Sequence, residues 1–545
     1  LVLFWVMTIA AFLPFYLDMK ITFPRSIPFL FWITLLLTIG GSRQIAKLIL
    51  LTPKTKPTHK STRNILIYGG GMGGIELATA LSNQNNVNIL GIIDDDKSLK
   101  GHFVQDIEVL GDRGEIENVR AKISPLEILL AMPSMKLKQR KKLLKFLEDK
   151  KVSVRTMPSL NDLASGKAKM SDLQKIDIIE LLGRDEIAPS KKLLTACVTN
   201  KNVLVTGSGG SIGSELCRQI LPLAPSDLVI LDHSEHSLYL INNELSNLST
   251  KTNSKTTITP VLGSIANKDL IEETILKFNI DTIYHAAAYK HVSLLEDNIK
   301  EGIINNIFGT FIVIKAAIRF KVKKFILVST DKAVHPSSVM GATKRITELI
   351  AQGLFKKQDT EKKEHDDFTS FAIVRFGNVL GSSGSVIPLF QKQIENGGPI
   401  TITHPEVTRY FMTISEASQL VIQAGSIGGN CDVFILNMGD PVSILSLARQ
   451  MIFLSGNKLK STDTQEEQSG IEIKFIGLQK GEKIHEELFI NDKISPTEHP
   501  MIMKVQEDLC TWEKIEEILA TLETQMNADK NDLRQLLIAI STKTA

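Results

Sequence analysis

Short apolar runs alternate with glycine turns and helical patterns along most of this chain. Asn64–Tyr68 is an apolar run that ends at a glycine turn, and a helical pattern and a second apolar run, Val87–Ile93, follow it. The same order begins again at Asn202–Val205. Because parallel strands need crossover helices between them, this alternation predicts an α/β fold with two Rossmann-like, doubly wound parallel-sheet domains. The later expected strands are Leu228–Leu231, Thr282–His285, Lys324–Ser329 and Phe371–Phe376.

The beginning of the chain has a different pattern. Residues 1–17 and residues 26–42 contain no charged side chain, and each approaches the ~20 apolar residues that a spanning helix needs. Two such stretches in a row, with Phe, Trp and Leu on every face, predict a transmembrane helical hairpin at residues 1–42. A secretory signal peptide and a pair of buried core helices are the alternatives. Because the first residue is Leu1, we expect the chain to begin within a longer protein or after processing.

A basic, proline-containing linker at residues 43–63 follows the second apolar stretch. Basic residues directly after a span mark the cytoplasmic side of a membrane. We therefore expect the protein to lie in the inner membrane, with its catalytic domains facing the cytoplasm. The basic residues are Arg43, Lys47, Lys54, Lys56, Lys60 and Arg63.

Changes in pattern divide the rest of the chain. Residues 64–160 are expected to form the first Rossmann-like domain, and the polar residues 161–195 a connector. Residues 196–500 contain the cleaner alternation and are expected to be the catalytic domain. The remaining residues, 501–545, predict a helical tail.

The glycine turn of the first domain leaves two interpretations open. Gly69–Gly74 fits the GxGxxG pattern, and Asp94 follows Gly74 by twenty residues. This spacing is typical of a nucleotide site. A Rossmann-like domain that is kept for regulation or assembly, with a vestigial site, fits equally well.

Composition excludes several functional classes. The formal net charge is only +3, which argues against a nucleic-acid-binding protein because such proteins usually carry a basic stripe. The four cysteines are scattered and form no CxxC pair. We therefore expect neither a disulfide framework nor a metal site.

The second glycine turn has the context that a dinucleotide site requires. Gly207, Gly210 and Gly213 lie between a strand and a helix, and Asp232 ends the next strand nineteen residues after Gly213. Glycines let a diphosphate approach the backbone at the helix N-terminus. A carboxylate at Asp232 would accept a hydrogen bond from a ribose and repel a 2′-phosphate. The turn therefore predicts NAD, with NADP as the alternative.

Two more polar clusters follow expected strands. His285–His291 begins with small alanines that would let a cofactor lie against the chain, although a tight strand–helix junction would also use them. Ser329–Lys332 places an acid beside a base at a strand's carboxyl end, where ligands bind in such sheets. A surface ion pair is the alternative for that cluster, and a solvated lysine is the alternative for Lys344.

Five motifs in order resemble one enzyme family: TGxxGxxG, HAAAxKHV, STDKAxxPxxxMGATK, VRFGNVLGSSGSVIPLF and GEKxxEEL. Together they are similar to the extended short-chain dehydrogenases and, more narrowly, to large membrane-bound nucleotide-sugar 4,6-dehydratases of bacterial polysaccharide synthesis. The resemblance covers essentially the whole chain. It implies that a nicotinamide cofactor is held by Gly207, Gly210, Ser211, Ile212, Gly213, Asp232, Ala286, Ala287, Lys290 and Lys344.

The resemblance also implies a reaction. UDP-N-acetylglucosamine would be oxidised at C4, Lys332 would remove the C5 proton, and Asp331 would protonate the departing C6 hydroxyl. The product would be a UDP-4-keto-6-deoxy sugar. For these roles the pKa of Lys332 must be lowered and the pKa of Asp331 must be raised.

One position departs from the wider superfamily. Most short-chain dehydrogenases have a YxxxK tyrosine that takes the alcohol proton, but Met340 stands at that position here. The large 4,6-dehydratases share this methionine, so it agrees with that subgroup. Thr330 is then expected to relay the C4 hydroxyl proton toward Asp331, while Lys344 keeps its contact with the nicotinamide ribose.

Substrate contacts follow from the same resemblance. Asn378 is expected at the sugar or diphosphate, Arg409 at the phosphate oxygens, and Glu482 with Lys483 over the uridine, although a solvated charge pair would also account for the last two. A nucleotide-sugar 4-epimerase and a non-catalytic membrane-tethered nucleotide sensor are the competing functions. We also expect a homo-oligomer.

Overall fold

The structure is a computed structural model that covers most of the chain beyond the amino-terminal segment. The expected hairpin at residues 1–42 and the linker at 43–63 lie outside the described residues, except for positions 33–34 and 63. Most of the connector, residues 161–186, lies outside them as well. The described residues are 33–34, 63–82, 87–123, 126–132, 135, 137–150, 152–156, 187–361, 368–382, 384–460, 470–488 and 494–543.

A six-stranded sheet forms the first domain. Its strand order is β3-β4-β2-β1-β5-β6, and the pairs β1–β5, β5–β6 and β2–β4 are parallel. The edge strand β3 is antiparallel to its neighbour β4. The strands are β1 Arg63–Tyr68, β2 Val87–Ile93, β3 Phe103–Val104, β4 Ile107–Gly111, β5 Leu126–Leu130 and β6 Ser153–Thr156, and the helices are α1 Met72–Ser82, α2 Glu115–Lys122 and α3 Leu137–Asp149.

A nine-stranded sheet forms the second domain, in the order β20-β21-β17-β12-β11-β10-β7-β8-β9. All pairs from β17 to β9 are parallel, and β20 and β21 are antiparallel. Its strands are β7 Asn202–Thr206, β8 Asp227–Asp232, β9 Thr257–Leu262, β10 Thr282–His285, β11 Lys324–Val328, β12 Ser370–Arg375, β17 Asp432–Leu436, β20 Ile494–Pro496 and β21 Ile502–Val505.

Three two-stranded sheets and a set of helices complete the second domain. The small strands are β13 Asn378–Val379 with β16 Phe411–Met412, β14 Ile400–Ile402 with β19 Ile473–Phe475, and β15 Thr408–Arg409 with β18 Val442–Ser443. The helices are α4 Lys191–Thr195, α5 Ser211–Ile220, α6 Glu235–Thr252, α7 Lys268–Lys277, α8 Val292–Asp297, α9 Ile299–Gly302, α10 Thr310–Arg319, α11 Val339–Glu361, α12 Val386–Glu395, α13 Ile414–Ile427, α14 Ile444–Leu454, α15 Trp512–Thr524 and α16 Lys530–Lys543. A π-helical segment, Ile303–Gly309, joins α9 to α10.

The central strands read as continuous apolar runs because the sheet is buried on both faces. Val203–Val205, Phe325–Leu327 and Ile373–Val374 are all fully buried. Chain order reverses between β7 and β10, and ligands of open α/β sheets bind in the crevice at such a reversal. The predicted α/β class with parallel sheets is therefore confirmed.

One helical stretch among the described residues is long and apolar enough to cross a membrane. It is Ile299–Arg319, and 56% of its most apolar window is buried. Ile303, Ile307 and Val313 belong to the hydrophobic core of the large sheet. Core packing accounts for the apolar character of this helix.

The last residues are part of the large sheet's architecture. Strand β21 pairs antiparallel with β17, so the sheet continues past residue 500, where the sequence pattern placed the end of the catalytic domain. Helices α15 and α16 pack against α11. The sequence pattern did not predict β21 because a four-residue strand is too short for its apolar spacing to be distinguished from that of a helix.

Candidate active site

The glycine turn between β7 and α5 leaves room for a ligand against the backbone. Gly207 has a φ of +70°, a conformation that glycine adopts easily and other residues rarely. A Cβ at Gly213 would lie 2.0 Å from the carbonyl oxygen of Gly207, so only glycine allows the helix to begin this close. The N-cap residue Gly210 has no side chain to cap the first amides. Their N–H groups and the helix dipole favour an anion at this end.

Asp232 lies at the end of β8, beside the same turn. Its Oδ2 accepts a hydrogen bond from the Gly209 amide at 2.9 Å, and its Oδ1 accepts one from the Ser234 amide at 2.8 Å. The carboxylate therefore holds the glycine turn in place. It also borders a small cavity of about 300 Å³, together with Ala287.

A larger cleft of about 870 Å³ lies over the carboxyl ends of the strands. It brings together most of the residues that the sequence predicts for a cofactor and a substrate. Asp232 and Ala287 border only the small neighbouring cavity, and Asp331 is buried beneath the cleft wall. The predicted residues that line the cleft are Gly207, Gly210, Ser211, Ile212, Gly213, Ala286, Lys290, Thr330, Lys332, Lys344, Asn378, Arg409, Glu482 and Lys483.

The Thr330-Asp331-Lys332 segment forms a hydrogen-bonded cluster directly after β11. The Thr330 hydroxyl donates to Asp331 Oδ1 at 2.9 Å, and Lys332 Nζ donates to the same oxygen at 3.0 Å. Lys332 Nζ also donates to Asn378 Oδ1 at 3.1 Å. Asp331 Oδ2 is buried and has no hydrogen-bond partner among the described residues. The cluster thus connects a hydroxyl, a carboxylate and an amine in one chain.

The electrostatics of Lys332 differ from the sequence-based expectation. Burial by itself lowers the pKa of this amine, but the charges of Asp331 and Glu486 and the hydrogen bond to Asp331 outweigh burial and raise the pKa above its usual value. The expected lowering of the Lys332 pKa is therefore wrong. Two carboxylates stabilise the ammonium form.

Helix α11 places two more predicted residues in the cleft. Met340 lines it at the position where YxxxK would place a tyrosine. Lys344 follows one turn later, and burial lowers the pKa of its amine to about 8, opposed in part by the charge of Glu348. Lys344 is therefore close to its titration point near neutral pH.

Arg409 is held rigidly in the wall of the cleft. Its Nη1 donates to the carbonyl oxygens of Thr408 and Ile484 at 2.7 and 3.0 Å, and its Nη2 donates to Glu482 Oε1 at 3.0 Å. Lys483 Nζ donates to the Val334 carbonyl oxygen at 3.2 Å. Glu482 and Lys483 are therefore bonded into the cleft wall rather than to each other.

Sequence reasoning missed Glu486. Its side chain is buried, and its Oε1 lies 3.6 Å from Lys332 Nζ and 3.9 Å from Arg409 Nε. The motif GEKIHEEL contains three glutamates, and no local signal in it tells which one faces inward. Glu487, the next residue, is exposed and contacts His335.

Asn306 was also missed. It is fully buried in the π-helical segment, accepts a hydrogen bond from the Tyr289 amide at 2.8 Å, and donates to the Tyr289 carbonyl at 3.0 Å. It thereby holds the loop that carries Lys290. Asn306 lies in an irregular helical segment of a kind that often marks functional sites, but the sequence pattern does not reveal this irregularity.

The glycine turn of the first domain has closely similar geometry. Asp94 Oδ2 accepts a hydrogen bond from the Gly70 amide at 2.6 Å, as Asp232 does from Gly209. A Cβ at Gly74 would lie 1.9 Å from the Gly69 carbonyl oxygen. The turn has kept the shape of a nucleotide-binding loop, and both earlier interpretations of this domain remain open.

Two protein-family models match the chain. Residues 203–507 match the family described as polysaccharide biosynthesis protein, and residues 1–158 match the family described as a CoA-binding domain. The first match covers the large sheet and the whole cleft.

Curated relatives extend these matches over most of the chain. The capsular polysaccharide biosynthesis protein CapD of Staphylococcus aureus is 42% identical over 471 residues, which are 86% of this chain and 75% of the relative. The probable polysaccharide biosynthesis protein EpsC of Bacillus subtilis is 37% identical over 465 residues, 85% of this chain and 74% of the relative. A UDP-glucose 4-epimerase of Rickettsia canadensis is 31% identical over 307 residues, 55% of this chain and 80% of the relative.

Proposed function

The chain belongs to the polysaccharide biosynthesis protein family of extended short-chain dehydrogenases that act on nucleotide sugars, and we propose that it is a UDP-N-acetylglucosamine 4,6-dehydratase. The observation that supports this proposal most is the Asp331–Lys332 pair in the cleft, with Thr330 bonded to the same carboxylate. Elimination of water needs an acid and a base side by side. Epimerisation at C4 needs one group that takes and returns the C4 hydroxyl proton, but no second acid–base pair for C5 and C6.

The cleft fits a dinucleotide. The glycine turn would take the diphosphate on the free amides of α5, Asp232 would contact the adenosine ribose, and Lys344 the nicotinamide ribose. When bound, the nicotinamide supplies a hydride acceptor for C4 and a hydride donor for C6. NAD is the proposed form, because the Asp232 carboxylate would repel a 2′-phosphate.

Removal of the C4 hydroxyl proton is proposed to use Thr330. Met340 has no group that accepts a proton at neutral pH. Thr330 lines the cleft, and its hydroxyl donates a hydrogen bond to Asp331 Oδ1 at 2.9 Å, so it can accept the sugar proton while it passes its own to the carboxylate. Asp331 is then protonated and ready to act as an acid.

The elimination itself is assigned to the neighbouring pair. The 4-ketone acidifies the C5 hydrogen, which Lys332 removes as a free amine, and Asp331 gives its proton to the C6 hydroxyl, which departs as water. Lys332 finally returns its proton to C5. The C4 hydroxyl proton thus leaves in the water molecule, and the acid and the base both return to their starting state.

Binding of the UDP-sugar is proposed for the part of the cleft that Asn378 and Arg409 line. The Arg409 guanidinium, fixed by two carbonyls and Glu482, presents a planar fork that suits phosphate oxygens. Asn378, already bonded to Lys332, would contact the sugar. Lys483 would lie over the uridine.

Anchoring to the membrane is proposed for residues 1–42. The two charge-free stretches and the basic residues that follow them support a hairpin in the inner membrane, with residues from 64 onward in the cytoplasm. Assembly into a homo-oligomer is proposed as well.

Deuterium labelling tests the proposed reaction. The full chain in detergent would be incubated with UDP-N-acetylglucosamine and NAD in deuterated water and followed by proton NMR. Dehydration predicts a new C6 methyl signal with deuterium at C5. Inversion at C4 with an intact C6 hydroxyl would instead support the epimerase, which the relatives among UDP-glucose 4-epimerases keep as the second candidate. Bound NAD without turnover would support a sensor.

Cofactor affinity is expected to depend on pH through Lys344. Its pKa is about 8 in the free site, and the ammonium form favours an anionic dinucleotide. The affinity should therefore be constant at lower pH and fall as the pH rises through that value, with a Kd for NAD that is about tenfold higher at about pH 9 than at about pH 7. Titration calorimetry on cofactor-free protein would measure this. The Lys344→Met variant should bind NAD weakly, with a Kd that does not change over this pH range. If the variant kept the same pH dependence, that dependence would belong to another group.

A further inference from the structure

Two buried carboxylates flank Lys332, and the proposed reaction uses only one of them. Asp331 Oδ1 accepts a hydrogen bond from Lys332 Nζ at 3.0 Å, and Glu486 Oε1 lies 3.6 Å from the same nitrogen. The Glu486 side chain comes from the segment between β19 and β20, far from Lys332 in sequence. Glu486 Oε1 also lies 3.9 Å from a second cation, the Nε of Arg409.

Glu486 has an oxygen that the fold leaves unused. Its Oε2 is buried and has no hydrogen-bond partner among the residues that the structure describes. Burying a carboxylate without full pairing is unfavourable, and the exceptions cluster at functional sites. The nearest cations lie beyond hydrogen-bond distance, so neither Lys332 nor Arg409 satisfies this group fully.

The ammonium of Lys332 needs a proton acceptor other than Asp331. Asp331 receives the C4 hydroxyl proton through Thr330 and must keep it for the departing C6 hydroxyl. Asp331 and Glu486 hold Lys332 as an ammonium, which must lose a proton before the amine can act at C5. Asp331 cannot store both protons.

We propose that Glu486 is a positioning residue that holds Lys332 in the cleft and takes up the proton that Lys332 must release. This inference rests on the proposed dehydration. One N–H bond of Lys332 breaks, its electron pair stays on nitrogen, and an O–H bond forms on Glu486. Ammonium and carboxylate become amine and carboxylic acid, and the transfer reverses after C5 has been reprotonated. No oxidant or reductant takes part.

Competitive labelling of lysines tests this proposal without turnover. The full chain in detergent would be treated with trace acetic anhydride over a pH series, and labelling at Lys332 would be quantified by mass spectrometry. The charged groups that face Lys332 are Asp331, Glu486 and Arg409. Glu486→Gln removes one of the two negative charges, so Lys332 should label at lower pH than in the wild type.

Matched variants separate this role from a loss of folding. Glu487→Gln makes the same change at the next residue, which is exposed, and should leave the Lys332 labelling profile unchanged. Glu486→Asp keeps the charge and should restore much of the wild-type profile. An unchanged profile in Glu486→Gln would overturn the proposal, as would equal shifts in both glutamine variants.

Turnover gives the second measurement. In Glu486→Gln the amine forms at lower pH, but no carboxylate takes up its proton during turnover and the transfer to solvent is slower. We therefore expect kcat to fall about tenfold or more near neutral pH and to recover partly as the pH rises and hydroxide takes the proton, with little change in KM. A uniform loss at every pH would indicate a structural role and contradict the proposal. If the wild type forms no methyl product, the proposed function fails, and the labelling result still stands as a separate outcome.

Discussion

Lys332→Met is expected to reduce the dehydration rate by about 10³-fold, within the range that a general base contributes. The thioether cannot accept the C5 proton, and the variant also removes the hydrogen bonds to Asp331 and Asn378. Formation of the C6 methyl group and incorporation of deuterium at C5, both followed by proton NMR, should be lost together. Oxidation at C4 uses Thr330 and Asp331 and should persist, so the C4-oxidised sugar should remain on the protein.

Lys480→Met is the matched control for this substitution. Lys480 is exposed and lies outside the cleft-lining residues, so the same loss of a charged amine should leave turnover near the wild-type rate. Turnover of Lys332→Met above one tenth of the wild type would remove Lys332 from the role of base. The epimerase would then become the better-supported function if C4 inversion also continued.

The second large effect is expected on stability, from a buried ion cluster behind the catalytic segment. Arg375 in β12 contacts Glu348 on α11 through two hydrogen bonds, at 2.6 and 2.8 Å, and Glu507 through one at 2.6 Å. Arg345 joins the same two carboxylates at 3.0 and 2.8 Å. All four side chains are nearly or fully buried. The cluster thus connects α11, β12 and the segment that follows β21.

Arg375→Met is expected to destabilise the fold by about 3–5 kcal/mol. Removing one partner leaves two buried carboxylates with a single remaining cation, and their desolvation is no longer offset. Urea unfolding followed by circular dichroism would measure the shift. Arg319→Met breaks an exposed pair with Glu272 and should change stability by less than about 1 kcal/mol. Equal effects of the two substitutions would contradict the assignment.

The same cluster has a predictable pH response. Burial raises the pKa of Glu507, but the charges of Arg375 and Arg345 outweigh burial and lower it to about 2. A lowered carboxyl pKa stabilises the fold above the unfolded value and loses that contribution as the pH falls toward the folded value. The cluster also adjoins the Thr330-Asp331-Lys332 segment, because Glu348 accepts a hydrogen bond at 2.6 Å from Ser329, the residue before Thr330.

Local motifs allowed the elements of the cleft to be predicted. Gly207–Gly213 is a contiguous turn, and Thr330-Asp331-Lys332 is a contiguous segment after a strand. Each can therefore be recognised in the sequence as a candidate binding or acid–base site. The parallel sheet then brings both to one edge, because the carboxyl ends of parallel strands meet there. Their common location in the cleft follows from the alternation of strands and helices alone.

Groups that act through distant partners could not be predicted in this way. Glu486 is one of three glutamates in a polar segment, and only the folded chain turns it toward Lys332. The direction of the Lys332 pKa shift depends on that contact, since burial and charge act in opposite senses there. The expectation of a lowered pKa came from the role of Lys332 as a base, and the sequence does not reveal the carboxylates that face this amine in the fold.

By itself, the sequence determined the α/β class, the glycine turn and the placement of Thr330, Asp331 and Lys332 directly after a strand, because each depends on neighbours a few positions away. Only the tertiary structure decided which carboxylates face Lys332, how Arg409 is fixed, and that β21 and the last helices complete the catalytic domain. These depend on contacts between residues far apart in the chain, such as Arg375 with Glu507. Charge–charge energies in a buried site vary with distance and exposure, and the fold sets both.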